Sequence, residues 1–247
     1  MIEQTLEFTI GGASVEALLL KPDDIGTFPG IVFLTDIWGI QPANIAMARR
    51  LADKGFAVLM PNALWRYSRI QPGGFEPAEA AEKHKALGQL FASLTAADME
   101  SDGPAYVDFL LAQQGVAPGK AGVVGYCFTG AFAVRMAAAS PDTVEAAASF
   151  HGGRLVTDAP DSPHRQLPRI KARLYFGHAV EDRSMTADQI ATLEQALRDW
   201  HGAFQSETYQ GALHGWTVPG RDVYNELQAE RAFEKLVELF EATLTAA

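Results

Sequence analysis

Short apolar runs, each followed by a stretch of helical character, recur along this chain and constrain its fold more than any other feature. Residues 30–35 and 56–60 are largely unbroken apolar runs. Such runs suit strands buried on both faces, as in a parallel sheet. Residues 121–126, 144–150, 172–176 and 204–209 read as further strands. Helices are expected over 42–54, 78–91, 97–114, 129–139, 187–200 and 222–245, with Gly55 as a stop for the first. The stretch 97–114 contains Gly103-Pro104, so a kink or a later start is expected there. Residues 62–77, which hold Pro72-Gly73-Gly74, read as a long loop, and 152–168 as a polar connection. Two leading runs, 4–10 and 15–20, are split by Gly11-Gly12, a hairpin signal. The alternation of strand and helix predicts an α/β fold: a mostly parallel twisted sheet with helices on both faces. With 247 residues and no linker or repeat, one domain spanning 1–247 is expected. Hydrophobic residues make up 48%, enough to offset ordering entropy, so the chain is not a disordered one.

Charge narrows the partners. The formal net charge is −10, and an acidic surface repels phosphate backbones, so no nucleic-acid partner is expected. There is no polybasic stretch to anchor on a membrane surface and no apolar run of about 18 residues to span one. The opening Met1-Ile2-Glu3-Gln4 is not a basic start followed by an apolar core, so no signal peptide is read there. The single cysteine, Cys127, excludes an intramolecular disulfide and a four-thiolate zinc site. A lone thiol fits a reducing compartment, and a cytoplasmic location is expected. Nothing in the sequence sets the oligomeric state.

Cys127 also carries the sharpest chemical signal. In Gly122-Val123-Val124-Gly125-Tyr126-Cys127-Phe128-Thr129-Gly130 an expected buried strand runs into an expected helix, with the thiol at the turn between them. This is the layout of a nucleophile elbow, with Cys in place of Ser. Small residues flank such a turn because strand and helix pass very close, and Gly125 meets that demand. Thr129 departs from it, being bulkier than the usual Gly, and Gly130 comes one place late. The following helix aims its unpaired N–H groups and positive end at the thiol, which favours thiolate. The N–H of Phe128 faces an oxyanion forming beside Cys127.

A nucleophile needs a base. In the elbow layout the chain order is nucleophile, acid, histidine. Of six histidines, His214 follows the last expected strand, in Gly211-Ala212-Leu213-His214-Gly215-Trp216. His201 reads as a helix C-cap and His164 as a loop residue. The acid should follow the strand over 172–176, where Glu181 and Asp182 both qualify, and His178 lies in the same expected loop. No Gly-x-Gly-x-x-Gly, Walker lysine motif, His-Glu-x-x-His helix or Gly-x-Ser-x-Gly competes.

Taken together, Gly125-Tyr126-Cys127, the 177–182 loop and His214-Gly215-Trp216 resemble the dienelactone hydrolases of the α/β-hydrolase fold. The likeness extends to Thr35-Asp36-Ile37-Trp38-Gly39 and Phe150-His151-Gly152-Gly153, and covers most of the chain. The resemblance implies that Asp182 rather than Glu181 is the triad acid and that Ile37 gives the second oxyanion-hole N–H. It implies a hydrolase of the carboxymethylenebutenolidase class, cleaving a small ester or lactone through an acyl-thioester on Cys127, with no metal or organic cofactor. Trp38, His151, His178 and Trp216 are expected to line the substrate pocket. Two positions depart from the family. Its usual Glu is Asp36 here, one methylene shorter, expected beside the thiol and tuning its protonation. Its two substrate-binding arginines are absent. Val218 stands at one position and Lys83-His84 at the other, with Lys83, His84 or Arg221 as the candidate substitutes. A point-charge Lys does not replace a bidentate Arg. The alternatives are a thioesterase or other acyl hydrolase on the same triad, and a non-catalytic binding protein on the same fold.

Overall fold

The computed structural model describes residues 1–66, 82 and 94–245. The expected helix over 78–91, apart from residue 82, residues 67–77 of the expected loop, and Lys83 and His84 lie outside the described residues. The chain opens with β1 (Ile2–Ile10) and β2 (Ala13–Lys21), followed by β3 (Phe28–Leu34), α1 (Pro42–Asp53), β4 (Ala57–Pro61) and α2 (Ala96–Leu111). Then come β5 (Val116–Tyr126), α3 (Thr129–Ala139), β6 (Val144–Phe150), β7 (Arg173–Glu181), α4 (Ala187–Trp200), β8 (Phe204–Leu213) and α5 (Glu226–Leu244). The hairpin forms because Gly11 and Gly12 both take positive φ, 58° and 88°. That two-residue turn matches the twist of the flanking strands.

The strands form one sheet in the order β1-β2-β4-β3-β5-β6-β7-β8. Pairing is antiparallel from β1 to β2 and β2 to β4, and parallel across the rest. One apolar core packs α2, α3 and α4 on one face, with Tyr106, Phe132 and Leu197 fully buried. The other packs α1 and α5, through Leu51, Leu236 and Phe240. The α/β class, the parallel sheet, its leading hairpin and the helices on both faces are thus as the sequence predicts. Among the described residues no helix is long and apolar enough to cross a membrane.

Among the boundaries that differ from expectation, three have a clear physical reason. Strand β7 runs on to Glu181 instead of stopping at 176, because β8 also runs on, to Leu213, and pairs with it. His178 faces Thr208 in register, Ala179 faces Tyr209, and past a bulge Glu181 faces Leu213. His178 is therefore a strand residue and not a loop residue. Helix α2 starts at a Thr95 capping box, with Asp98 closing it, and continues past Gly103-Pro104. Gly103 is a packing device: a Cβ there would collide with the Met136 side chain on α3. Helix α5 starts at Glu226 instead of 222, because Asn225 caps it by accepting the Gln228 N–H.

At the end of β5 the chain turns straight into α3. A Cβ on Gly125 would overlap the backbone carbonyl of Thr129, and one on Gly130 would overlap Ser149 Oγ. The turn closes only because both are glycine. Backbone cannot yield as a flexible side chain does, so Gly125→Ala is expected to cost at least about 1–3 kcal/mol, or roughly 2–12 °C in melting temperature. Gly26→Ala, where nothing lies within 4 Å of a new Cβ, is the control. Equal melting temperatures for the two variants would contradict this account of the turn.

Candidate active site

Cys127 sits at that turn with φ of 60°, a left-handed conformation uncommon for a residue with a side chain. Hydrogen bonds on both sides hold it there. Its N–H donates to the Phe150 carbonyl at 3.1 Å and to His151 Nδ1 at 3.1 Å. Its carbonyl accepts from the N–H groups of Gly130 and Gly153, each at 3.1 Å. The residue is half-buried, so its thiol stands at the carboxyl end of the sheet, where ligands meet open α/β sheets.

Thr129, the bulky departure from the elbow pattern, is fully buried and has a task of its own. Its Oγ1 accepts the Tyr126 N–H at 2.8 Å. The single hydroxyl proton is within reach of the carbonyls of Leu34 (3.1 Å), Thr35 (2.9 Å) and Tyr126 (2.8 Å). The threonine thus ties the end of β3 to the elbow. That tie matters for the two expected oxyanion donors. Leu34 pairs with Gly125 across the sheet, and Ile37 and Phe128 each follow three residues beyond that pair.

His214 Nε2 lies 3.1 Å from Cys127 Sγ, and His214 Nδ1 lies 2.6 Å from Asp182 Oδ2. Of the two candidate acids, Asp182 carries this contact, and Glu181 is exposed at the end of β7. The other oxygen of Asp182 accepts the Ser184 N–H at 2.7 Å and the Ser184 hydroxyl at 2.6 Å. Ser184 Oγ also lies 3.2 Å from His214 Nδ1, a participant the sequence reading missed. Burial alone would lower the His214 pKa. Its hydrogen bonds to Asp182 and Cys127 and the charges on both outweigh that and push it up to about 10. Asp182 behaves conversely: burial would raise its pKa, but bonds from His214 and Ser184 hold it below the usual carboxylate range. The arrangement can hold a proton on the imidazole and pass it on.

Asp36 is buried, and its carboxylate accepts the Trp38 N–H at 3.2 Å and faces Arg221 Nη2 at 3.3 Å. Desolvation raises its pKa, against the pull of Arg221 and the Trp38 bond. The Arg221 guanidinium also lies over the Trp38 ring, 4.6 Å from its centroid. Val218, where the resemblance expects an arginine, is fully buried.

The four residues expected around the substrate separate. Trp38 is half-buried and lines a cavity of about 210 Å³ with Gln41, Pro219 and Arg221. His151, His178 and Trp216 are buried, at 1%, 2% and 0% exposure, and form structure behind the site and not its surface. Trp216 packs against Tyr209 and His151. His178 stacks on Phe176 within the sheet, and burial drops its pKa to about 4. A cavity of about 240 Å³, beside Phe128 and lined also by Met99, Ala131 and Arg154, was not foreseen. Among the described residues no three His, Cys, Asp or Glu side chains converge as a metal site requires. His201 caps α4 in a left-handed conformation, and His164 bonds Ser162 in its loop.

The model described as the dienelactone hydrolase family matches residues 15–244. The carboxymethylenebutenolidase of Rhodococcus opacus is 30% identical over 227 residues, covering 90% of this chain and 84% of that one. A Synechocystis sp. protein provisionally given the same enzyme name is 29% identical, covering 93% and 92%. Among solved structures, a dienelactone hydrolase-like promiscuous phosphotriesterase from metagenomic libraries superposes with a TM-score of 0.80 at 23% identity, over 98% of both chains. At that identity the structural likeness carries the fold alone.

The protonation of His214 has a consequence for stability. Its folded pKa of about 10 exceeds the unfolded value of about 6.5. The charged pair therefore adds stability that is complete below about pH 6.5 and is lost as pH climbs through about 10. Asp182, lowered in the fold, adds stability that is lost only on acidification below the ordinary carboxylate range. The unfolding free energy of the wild type relative to His214→Gln should sit on a plateau near pH 6 and shrink steadily toward pH 10. Urea denaturation across that range measures it. A difference that grows with pH would contradict the assigned charges.

Proposed function

This chain belongs to the dienelactone hydrolase family, and from that premise we propose that it cleaves a small ester or lactone through a Cys127–His214–Asp182 triad. Its coarser activity, hydrolysis of carboxylic esters in the manner of that family, follows from membership. The observation that supports the finer reading is the unbroken chain of contacts, 3.1 Å from Sγ to Nε2 and 2.6 Å from Nδ1 to Oδ2. Cys127 Sγ attacks the carbonyl carbon while His214 holds the former thiol proton. The N–H groups of Phe128 and Ile37 receive the oxyanion. The tetrahedral species collapses, the C–O bond breaks, and the alcohol leaves with the proton from His214. Water then attacks the thioester and gives its proton to His214. The second collapse expels the Cys127 sulfur, which recovers the starting pair, and releases the acid. Asp182 keeps the imidazole oriented and stabilises its charged form. No metal or organic cofactor enters this scheme.

Asp36 enters the proposal as a brake on the thiolate, since like charges at close range oppose each other. Its pairing with Arg221 offsets that effect. Among the described residues, the cations at the expected positions argue for a neutral substrate. Val218 offers no charge, and Arg221 is already engaged by Asp36. Neutral esters should therefore be used better than an anionic lactone, and the partner is a small ester or lactone.

Two measurements test the proposal. Cys127→Ala should lose hydrolysis while its circular dichroism and melting temperature stay near wild type, and His214→Ala should cost nearly as much, since such residues act as a unit. Near-wild-type turnover by Cys127→Ala would sink the mechanism. In a substrate panel, kcat/KM for the anionic lactone should trail a matched neutral ester by about tenfold or more, the worth of one lost charge-assisted contact. Equal efficiency would instead show that another cation, Lys83, His84 or Arg221 among the candidates, holds the carboxylate.

A further inference from the structure

The wall behind the nucleophile is built on His151, which stands in no step of the scheme above. Its ring is 1% exposed, and its backbone takes a positive φ of 40°, a conformation uncommon for non-glycine residues. A single geometry fixes its protonation. The Cys127 backbone N–H can only donate, and it points at His151 Nδ1 from 3.1 Å. Nδ1 must therefore be unprotonated, and the ring carries its proton on Nε2. Nε2 lies 2.8 Å from Thr217 Oγ1, which accepts it. The His151 N–H donates to the Gly177 carbonyl at 2.8 Å, so the residue is pinned to β7 as well. The ring stands edge-on to His214 at 5.2 Å and to Trp216 at 5.1 Å.

These contacts join two pieces of chain that are far apart in sequence. Cys127 follows the end of β5, and Thr217 lies three residues after His214 in a turn closed by Trp216 N–H to Leu213 O and Val218 N–H to Gly215 O. One neutral imidazole spans the gap between them. We infer that His151 is a positioning residue, clamping the backbone of the nucleophile to the turn that carries the base and so setting the distance from Sγ to the His214 ring. The inference rests on the Cys127–His214 reading. It also explains why the ring must stay neutral. A second proton would remove one of the two acceptors of the Cys127 N–H, leaving only the Phe150 carbonyl, and place a cation beside the His214 imidazolium. Burial, followed by the His214 charge, opposes that proton.

Thr217 separates a positioning role from packing, because its hydroxyl and methyl can be removed one at a time. Thr217→Val keeps the volume and removes the acceptor. Thr217→Ser keeps the acceptor and removes the methyl. With a neutral activated ester, Thr217→Val should lower kcat about tenfold, since small misplacements of reacting groups cost that much or more. Its KM should hold within about twofold, an interaction felt in the reaction and not in binding. The pH midpoint of Cys127 alkylation by iodoacetamide should rise in the same protein, because a looser base protects the thiolate less. Thr217→Ser should match the wild type in both readouts. His151→Asn, which keeps a short acceptor and tolerates positive φ but cannot reach Thr217, should resemble Thr217→Val.

The inference is overturned if Thr217→Val keeps the wild-type kcat and alkylation profile, whatever its melting temperature. It is equally overturned if Thr217→Ser is the impaired variant, which would make the site one of packing. Alkylation reads the clamp without turnover, and Cys127→Ala reads the mechanism without the clamp. Loss of one therefore does not imply loss of the other.

Discussion

The site depends on one close crossing, where β5 runs into α3 with almost no room between them. Gly125 and Gly130 permit the approach by having no side chain to place there. The crossing forces Cys127 into a left-handed backbone. Such a conformation persists only when its surroundings over-determine it. Here four hydrogen bonds to the Cys127 backbone do so, two at its N–H and two at its carbonyl. The strain and the small residues belong together. A looser turn would relax the backbone and aim the thiol elsewhere. Thr129 then carries the constraint sideways, fastening the end of β3 to the elbow.

Two charge pairs lie among these loops. Asp182 holds His214 charged, and His214 faces the sulfur, while Asp36 is held by Arg221 on the neighbouring strand end. His151 stays neutral beside His214, so the two imidazoles do not stand as two cations side by side. The order of protonation is set by geometry: acceptors converge on His214, whereas a backbone N–H is aimed at His151.

Much of this is legible in the sequence, and the illegible part has a pattern. Apolar runs with helices between them specify the sheet because burial on both faces demands that composition. The elbow is legible because its glycines answer a local steric demand, and chain order then selects His214. What local sequence cannot carry is contact across distance. Asp36 and Arg221 are 185 residues apart, and His151 meets Thr217 across 66. A histidine in Phe150-His151-Gly152-Gly153 reads as a pocket residue until its two ring nitrogens are seen to be used. His178 misleads for a related reason. Gly177 signals a turn, yet the strand continues because β8 offers it a partner through Tyr209. Pro104 signals a helix break, yet the helix runs through it, with Gly103 beneath Met136. In both cases tertiary packing overrides a local preference. Asn225, by contrast, was a readable cap for α5, and its side chain was the available signal.

The account stands or falls on whether Cys127 becomes acylated. The direct measurement is intact-protein mass spectrometry after mixing the wild type with an activated neutral ester and quenching in acid within the first turnover, followed by peptide mapping. The account predicts a transient mass increase equal to one acyl group, carried on the peptide containing Cys127 and removed by neutral hydroxylamine, which cleaves thioesters. Product release in the first turnover with no adduct on that peptide, or with the acyl group on a serine, would contradict it.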